Sequence, residues 1–426
     1  MRRDELLARL PSYALTNRFF TFACTALPAA LGSVVSFVFH SGAIVCVIEV
    51  ISGQYPLNRD PAMLRLAAAL YAFVGVNIVS TLVNSGPSHF MTLMSVIALL
   101  GFPFSYSIWS ISRKEDIAVA AIAGSALSCY AAAILALIQF SFLGMRAEGG
   151  AGNALVFATV TCLATATVLA GAFYLERKRL PLLLGAYGAG GVALLYSGSR
   201  LAWAALFIST LIILFVHRRE ILARFSTATL WTALGVAMVA LMLASIPAAG
   251  RFHALLEDWT NLYSKGDYST SLGVRAALWQ IGVDKFLEAP LLGHGQAQSM
   301  ELIAKEFRDR FGLTQSFTHF HNGFLTAAVE SGVLGLGALL AVFMLAFKNG
   351  VDALRGEPSP EEIFGALVLL TGASIYVTIG SANLMLGHDI LDTMFLVTMV
   401  LGTYLGSGRS LLAEKAVGEP TQASPA

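Results

Sequence analysis

Charged residues are scarce in this chain, and that scarcity excludes most soluble folds. Only 12% of the 426 residues are charged, while 56% are hydrophobic. Soluble domains carry roughly twice that charged fraction. A chain this poor in charge cannot cover a globular surface with polar groups, so lipid must be its main solvent. The formal net charge of +1 gives no reason to expect nucleic-acid binding.

Cysteine is equally scarce, and a disulfide framework is not expected. All four cysteines fall inside apolar runs, whereas a framework would place them in outer loops: Cys24, Cys46, Cys129 and Cys162. We interpret them as small buried hydrophobic residues. The N-terminus lacks a small-residue cleavage site after its first apolar run, so no cleavable signal peptide is expected.

Long apolar runs are what the chain has in abundance. A spanning helix needs about 20 apolar residues, and twelve runs meet or approach that length. The sequence therefore predicts an all-α polytopic membrane protein with about twelve spans. They lie near 18–34, 36–53, 66–84, 90–111, 117–143, 154–175, 181–197, 201–216, 228–248, 323–347, 363–382 and 390–407.

Lysine and arginine set the orientation, because they concentrate in cytoplasmic loops. With the N-terminus inside, eighteen of the 27 basic residues fall in cytoplasmic segments. The short outer loops hold only Arg146 and Arg200. The other basic residues lie in one long outer segment, and long loops are exempt from the rule. Both termini are predicted to be cytoplasmic.

Four regions follow from this layout. Residues 1–248 hold the first nine spans, and residues 249–322 form one large outer loop with helical patches near 276–288 and 297–311. Residues 323–408 hold the last three spans. Residues 409–426 form a polar tail that we predict to be disordered.

A first polar cluster, Tyr196-Ser197-Gly198-Ser199-Arg200, joins two predicted spans. Its arginine lies where positive charge is otherwise avoided. An arginine at membrane depth costs at least a few kcal/mol unless it faces a polar cavity or an anion. The alternative is an interfacial arginine that extends its charge to lipid headgroups.

A second cluster lies in the outer loop. Arg275 and Trp279 are four residues apart and share one helical face. Pro290 ends that helix, and Gly293 and Gly295 flank a histidine where the backbone can approach a ligand closely. Taken alone, Gly-His-Gly is a weak signal.

A third cluster, Thr318-His319-Phe320-His321-Asn322-Gly323, returns the loop to the membrane. The two histidines are two residues apart, so in regular structure we expect them to point to roughly opposite faces. Only one is then expected to face a common site, which argues against a two-histidine metal motif of the i, i+4 kind.

The order and spacing of these motifs resemble the O-antigen ligase and polymerase superfamily. They are Ser-Gly-Ser-Arg before a span, Arg-x-x-x-Trp leading to Pro-Leu-Leu-Gly-x-Gly, and His-x-His-Asn-x-x-Leu followed by Glu-x-Gly-x-x-Gly. The motif-bearing part runs from about 190 to 345. The resemblance implies transfer of a glycan from an undecaprenyl-pyrophosphate carrier to an acceptor at the periplasmic face of the bacterial inner membrane.

The resemblance also implies the site. The catalytic residues it implies are Arg200, Arg275 and His321, and Asn322 and His319 would contact substrate. Two arginines can bind pyrophosphate oxygens bidentately. A histidine can take a proton from an attacking sugar hydroxyl, or it can orient a substrate; the sequence does not separate these roles.

Four further residues are predicted to contact substrate, and no metal or cofactor is expected. Trp279, Gly293 and Gly295 flank the loop arginine, and Asp389 begins the last span, where it would position a site residue or act as an ordinary interfacial carboxylate. The outer loop has no Asp-x-Asp pair, so we favour a metal-free, inverting displacement.

We favour ligase activity on the lipid A-core oligosaccharide, because the chain has one large outer loop rather than two. A polymerase of the same superfamily is the alternative. A secondary transporter or lipid flippase is a different class, and it predicts mid-membrane charges in two related halves. We find no convincing internal repeat. The oligomeric state stays open.

Overall fold

A computed structural model shows a chain built of helices. It describes residues 3–85, 91–224, 226, 256–296 and 298–410. Within those residues nine helices are long and apolar enough to cross a membrane. The predicted all-α polytopic membrane fold is confirmed.

The described part of the chain contains seventeen α-helices. They are α1 (Arg3–Ala26), α2 (Pro28–Leu31), α3 (Val34–Ile51), α4 (Pro61–Ser85), α5 (Met94–Ile97), α6 (Phe102–Trp109), α7 (Lys114–Leu143), α8 (Ala154–Tyr174), α9 (Leu180–Ser197), α10 (Arg200–Val216), α11 (Arg218–Arg224), α12 (256–265), α13 (Ser271–Glu288), α14 (Ser299–Phe311), α15 (Gly323–Ala353), α16 (Pro360–Gly380) and α17 (Asp389–Ser407).

Most predicted spans coincide with one helix, and the departures occur at glycine and proline. The predicted break near Gly32 is present, between α2 and α3. The run near 90–111 forms one of these nine spans, Met91–Trp109, in which α5 is followed by a 3₁₀ turn over Ala98–Gly101 and by α6, which has a proline in its first turn. The run at 228–248 lies outside the described residues, as does most of the tail.

Helices α8, α16 and α17 form the centre of the bundle. Most of their side chains are buried by other helices, whereas α3 leaves most of its surface to lipid. Cys24, Cys129 and Cys162 are free and buried, and Cys46 is free and half-buried. Their predicted role as buried hydrophobic residues is confirmed for the first three.

Polar contacts close one end of the bundle, here called the opposite end. Asp60 accepts a hydrogen bond from the Tyr106 hydroxyl at 2.6 Å. Asn58 donates to the Ser110 hydroxyl at 2.9 Å and to the Arg409 carbonyl at 3.1 Å. These contacts join the start of α4 to α6 and to the end of α17.

The other end, here called the site end, carries the connections that hold the sequence motifs. Gly150 donates its backbone N–H to the Ala29 carbonyl at 3.0 Å, which ties the α7–α8 connection to α2. Helices α13 and α14 pack over this end around a small core of their own, which includes Leu278, Phe307 and Phe320. The bundle and this layer together position the site.

Candidate active site

A tight turn between α9 and α10 positions Arg200. Ser199 caps α10, and its hydroxyl accepts the N–H of Ala202 at 3.4 Å. Arg200 is therefore the first residue of α10, and its side chain is exposed. The positive dipole end of a helix favours an anion at this position.

Arg146 reaches the same turn from the connection between α7 and α8. Its Nε and Nη2 atoms donate to the Ser197 carbonyl at 3.0 and 2.8 Å. One residue on, the Ala147 N–H donates to the Tyr196 carbonyl at 3.1 Å. These bonds satisfy carbonyls at the end of α9 that have no partner within the helix. Arg146 therefore fixes the turn that presents Arg200.

Arg275 comes to this end on α13, where it is half-buried. Burial lowers its pKa, and the positive charges of Arg200 and Arg146 lower it further. Three arginines from three separate segments thus lie close enough for their charges to repel one another. Trp279 follows Arg275 by one helical turn and is 40% exposed, so the two share a face as predicted.

The two histidines lie side by side. Their ring centroids are 4.6 Å apart, with the planes at 61°. Phe320, the residue between them, is fully buried in the core of the outer layer. The expectation that the histidines point to opposite faces is wrong, because this segment bends and is neither helical nor extended. His321 also has a left-handed backbone, with φ 47°.

Both imidazoles are held neutral. Burial lowers the pKa of His321 to about 4, and the charges of His319 and Arg275 act in the same direction. Burial also lowers the pKa of His319. The polar side chain of Asn383, from the turn between α16 and α17, opposes both shifts. A neutral imidazole can accept a proton, so His321 has the state that a general base requires.

Two ring nitrogens of the pair are unused by the protein. Among the described residues, His319 Nε2 and His321 Nδ1 are buried without a hydrogen-bond partner. His319 Nδ1 lies 3.0 Å from the Thr318 hydroxyl. Buried polar atoms normally have partners. Their absence here fits a site whose substrate supplies the missing contacts.

Comparison with known proteins then identifies the segment that holds these residues. Residues 182–340 match the family described as O-antigen ligase. Through this segment the chain is similar to the O-antigen ligase superfamily. The predicted resemblance is confirmed, and the matched segment contains Arg200, Arg275, His319 and His321.

Individual relatives match over shorter stretches. An O-antigen ligase of Escherichia coli K12 is 32% identical over 111 residues, which are 24% of this chain and 26% of the relative. The exopolysaccharide production protein ExoQ of Rhizobium meliloti is 32% identical over 112 residues, which are 25% and 26%. An uncharacterized protein of Haemophilus influenzae is 29% identical over 153 residues, which are 35% and 38%. The chain thus spans between a quarter and two fifths of these relatives.

Within the O-antigen ligase segment, the Gly-His-Gly motif docks against α15. Helix α15 is interrupted at Gly332, whose φ is 65°. The Val329 and Glu330 carbonyls at the interruption accept the N–H groups of His294 and Gly295 at 2.8 and 2.9 Å. A Cβ on Gly293 would lie 2.5 Å from the Val329 oxygen. The close approach that Gly293 permits is to this helix, and not to a ligand as expected; its predicted substrate contact stays untested.

Asn322 and Asp389 both have local partners. The Asn322 side-chain oxygen caps α15, accepting the N–H groups of Phe324 and Leu325 at 3.1 Å each. The Asp389 carboxylate lies 3.0 Å from His388 Nδ1. The idea that Asp389 positions His321 or an arginine gains no support from this contact. Substrate contacts by Asn322 and Asp389 stay predictions.

Sequence reasoning missed two residues of the site. Arg146 carried the signal that selected Arg200, a positive charge in a short outer loop, but it lay outside the motifs. Asn383 carried no signal, since only the fold brings the α16–α17 turn to the histidines. Within the described ranges, no group of three or more His, Cys, Asp or Glu side chains could hold a metal ion. The metal-free mechanism stays a prediction.

Proposed function

We propose that this protein is an O-antigen ligase that transfers a glycan from an undecaprenyl-pyrophosphate carrier to the lipid A-core oligosaccharide. The observation that carries the proposal is the convergence of Arg146, Arg200 and Arg275 beside the neutral His321. That arrangement pairs an anion site with a proton acceptor, which are the two groups that displacement of a pyrophosphate by a hydroxyl needs.

The arginines match the leaving group. A lipid-linked pyrophosphate concentrates negative charge on neighbouring oxygens, and arginine binds such oxygens bidentately with a charge that is never lost. Bringing positive charges together costs free energy when no anion is bound. The pKa of Arg275 is lowered first by burial and further by the charges of Arg200 and Arg146. Binding of the pyrophosphate relieves that repulsion. The repulsion therefore favours the donor-bound state.

The histidine matches the attacking group. In the proposed step a hydroxyl oxygen of the acceptor sugar forms a bond to the anomeric carbon, while the bond from that carbon to the pyrophosphate oxygen breaks. His321 takes the hydroxyl proton, and the arginines hold the departing pyrophosphate. One displacement inverts the anomeric centre. The products are the glycosylated acceptor and the carrier pyrophosphate, with the proton on His321 released to solvent.

The side of the membrane is proposed from charge. Eighteen of the 27 lysines and arginines fall in the segments assigned to the cytoplasmic side of the inner membrane, which include the connections at the opposite end. The site end then faces the periplasm, where both the carrier-linked glycan and the lipid A-core would meet the site.

Ligase and polymerase give different products, and lipopolysaccharide analysis of a deletion strain separates them. Loss of capped lipopolysaccharide, with carrier-linked long polymer accumulating, supports a ligase. A single repeat unit left on the core indicates a polymerase, a possibility kept open by the resemblance to an exopolysaccharide production protein. Normal lipopolysaccharide rejects both. Complementation with His321→Ala, checked for equal membrane content, ties the phenotype to the site.

A further inference from the structure

The carrier's hydrocarbon tail also needs a place on the protein, and the arginines limit where it can lie. The pyrophosphate and the polyprenyl chain are covalently joined, so a tail entering the bilayer must start beside the arginines. Arg146 directly follows α7, and Arg200 is the first residue of α10. Helix α9 lies between these segments and ends at Ser197, the residue whose carbonyl Arg146 binds.

An apolar face of α9 runs from this point into the membrane. Leu184, Gly188, Val192 and Leu195 are exposed along it, and Gly191 is half-exposed. Their spacing of three and four residues places them on one side of the helix. The buried side chains Ala186, Gly190, Ala193, Leu194 and Ser197 occupy the other side.

Two glycines leave the middle of this face without side chains. A Cβ built on Gly188 or on Gly191 would meet no other atom within 4 Å, so the helix backbone is open to lipid there. Gly188 lies nine residues before Ser197, about 14 Å along the helix axis. That distance is roughly half of the hydrocarbon core. A chain lying over both glycines would therefore run from the headgroup region to the bilayer middle.

Aromatic side chains flank this face at the site end of α9. The rings of Phe140 and Tyr196 pack 4.6 Å apart and join α7 to α9. The Tyr196 carbonyl accepts the N–H of the residue that follows Arg146. On the α10 side, the Trp203 indole donates to the Leu194 carbonyl at 2.9 Å. The apolar face and the arginines are thus parts of one hydrogen-bonded scaffold.

We infer that the polyprenyl chain of a lipid pyrophosphate lies along α9 over Gly191 and Gly188, between α7 and α10, with its pyrophosphate at Arg146 and Arg200. This inference rests on the proposed function for the identity of the donor. Close van der Waals packing is the main attraction available between apolar surfaces in lipid, and small residues permit it. The positive charge at one end of the face is what distinguishes this occupant from bulk lipid.

The test adds a side chain in the middle of this face. A Cβ at Gly188 would have no atom within 4 Å, so we expect Gly188→Leu to retain the fold. The matched control is Gly337→Leu on α15, which is also exposed, in a spanning helix and open to 4 Å. Transfer by purified protein in nanodiscs is measured with undecaprenyl-pyrophosphate and geranyl-pyrophosphate donors that carry the same glycan.

Gly188→Leu should raise KM for the undecaprenyl donor about fivefold, the equivalent of roughly 1 kcal/mol of packing. KM for the geranyl donor should stay at the parental value, because the shorter chain ends before Gly188. The control should match the parent with both donors. An unchanged KM for the long donor, or an equal rise in the control, overturns the inference.

A binding measurement separates this inference from the proposed function. Undecaprenyl pyrophosphate with a photoreactive group in its tail should cross-link to the α9 peptide of the parent, and the cross-link should fall in Gly188→Leu but not in Gly337→Leu. Cross-linking without glycan transfer by the parent would reject the proposed function and retain the tail site. Glycan transfer by the parent, with cross-links spread evenly over the lipid-facing helices, would support the proposed function and reject the tail site.

Discussion

The imidazole rings of His319 and His321 pack edge to face, with their centroids 4.6 Å apart, on either side of the buried Phe320. The pair makes the protonation of one ring depend on the other, since the charge of His319 lowers the pKa of His321. Of the two histidines, only His321 has a pKa that is also lowered by the charge of Arg275. The two histidines therefore have separable roles.

His321→Ala should reduce transfer by roughly 10²- to 10⁴-fold, the usual contribution of a general base. His319→Ala should cost far less, about tenfold, because it removes a neighbour of the base and not the base itself. Donor binding should be retained in both. Rates measured on purified protein with equal fold content decide the ranking, and a reversed order would move the base to His319.

The pH dependence tests the same pair. A general base must be neutral, so kcat/KM should fall only as the pH approaches the His321 pKa of about 4. In His319→Ala less burial and less positive charge raise that pKa, so the fall should begin at a higher pH. His388→Ala serves as the control, since it removes a histidine of the same end. If kcat/KM of His319→Ala fell at the same pH as that of the parent, the proposed effect of His319 on the His321 pKa would be contradicted.

The residues of this site could be predicted from the sequence only in part. The types and order of Arg200, Arg275 and His321 could be read from motifs, and apolar run lengths predicted most spans. The side-by-side histidines could not be predicted, because they depend on a left-handed backbone at His321 and on Phe320 entering a core formed by distant helices. Asn383 joins the site only through packing of the last spans. Local patterns identify chemistry, and tertiary contacts decide which groups meet.

The arginines should differ in their tolerance of lysine. Arg200→Ala and Arg275→Ala should each reduce transfer by about 10²- to 10³-fold, and lysine should rescue poorly because a point charge lacks the planar fork. Arg146→Ala should cost less, roughly tenfold, since its fork binds the Ser197 carbonyl and only its charge acts at the site.

Initial rates and donor KM are measured for the alanine and lysine variants of all three arginines. They decide whether each position supplies bidentate hydrogen bonding or only a positive charge. Arg179, in the connection before α9 at the opposite end, supplies the control, and Arg179→Ala should leave transfer unchanged. Full activity in both Arg200→Ala and Arg275→Ala would remove the pyrophosphate-binding model. Full activity in Arg275→Lys would show that simple charge is what that position supplies.

The interruption of α15 should be sensitive to a single methyl group. Gly332 has φ 65°, and a Cβ there would overlap the Leu291 carbonyl. Gly332→Ala should cost about 3 kcal/mol, from left-handed strain together with displacement of the docked loop. Gly312→Ala is the control, since that residue has φ 62° but open space around it, and it should cost only about 1 kcal/mol. Equal thermal midpoints for the two variants would show that docking contributes nothing.

The orientation can be tested with two cysteines at opposite ends. Ser264 is exposed on α12 at the site end, and Gly356 is exposed in the connection between α15 and α16. Three native cysteines are buried and Cys46 is half-buried, so background labelling of the parent should be low. With the site end in the periplasm, an impermeant thiol reagent applied to intact spheroplasts should label Ser264→Cys, and should label Gly356→Cys only after the membrane is opened. Because lysines and arginines concentrate near Gly356, labelling of Gly356→Cys alone in intact spheroplasts would reverse the topology. It would also place the arginines and His321 on the side away from the lipid A-core acceptor.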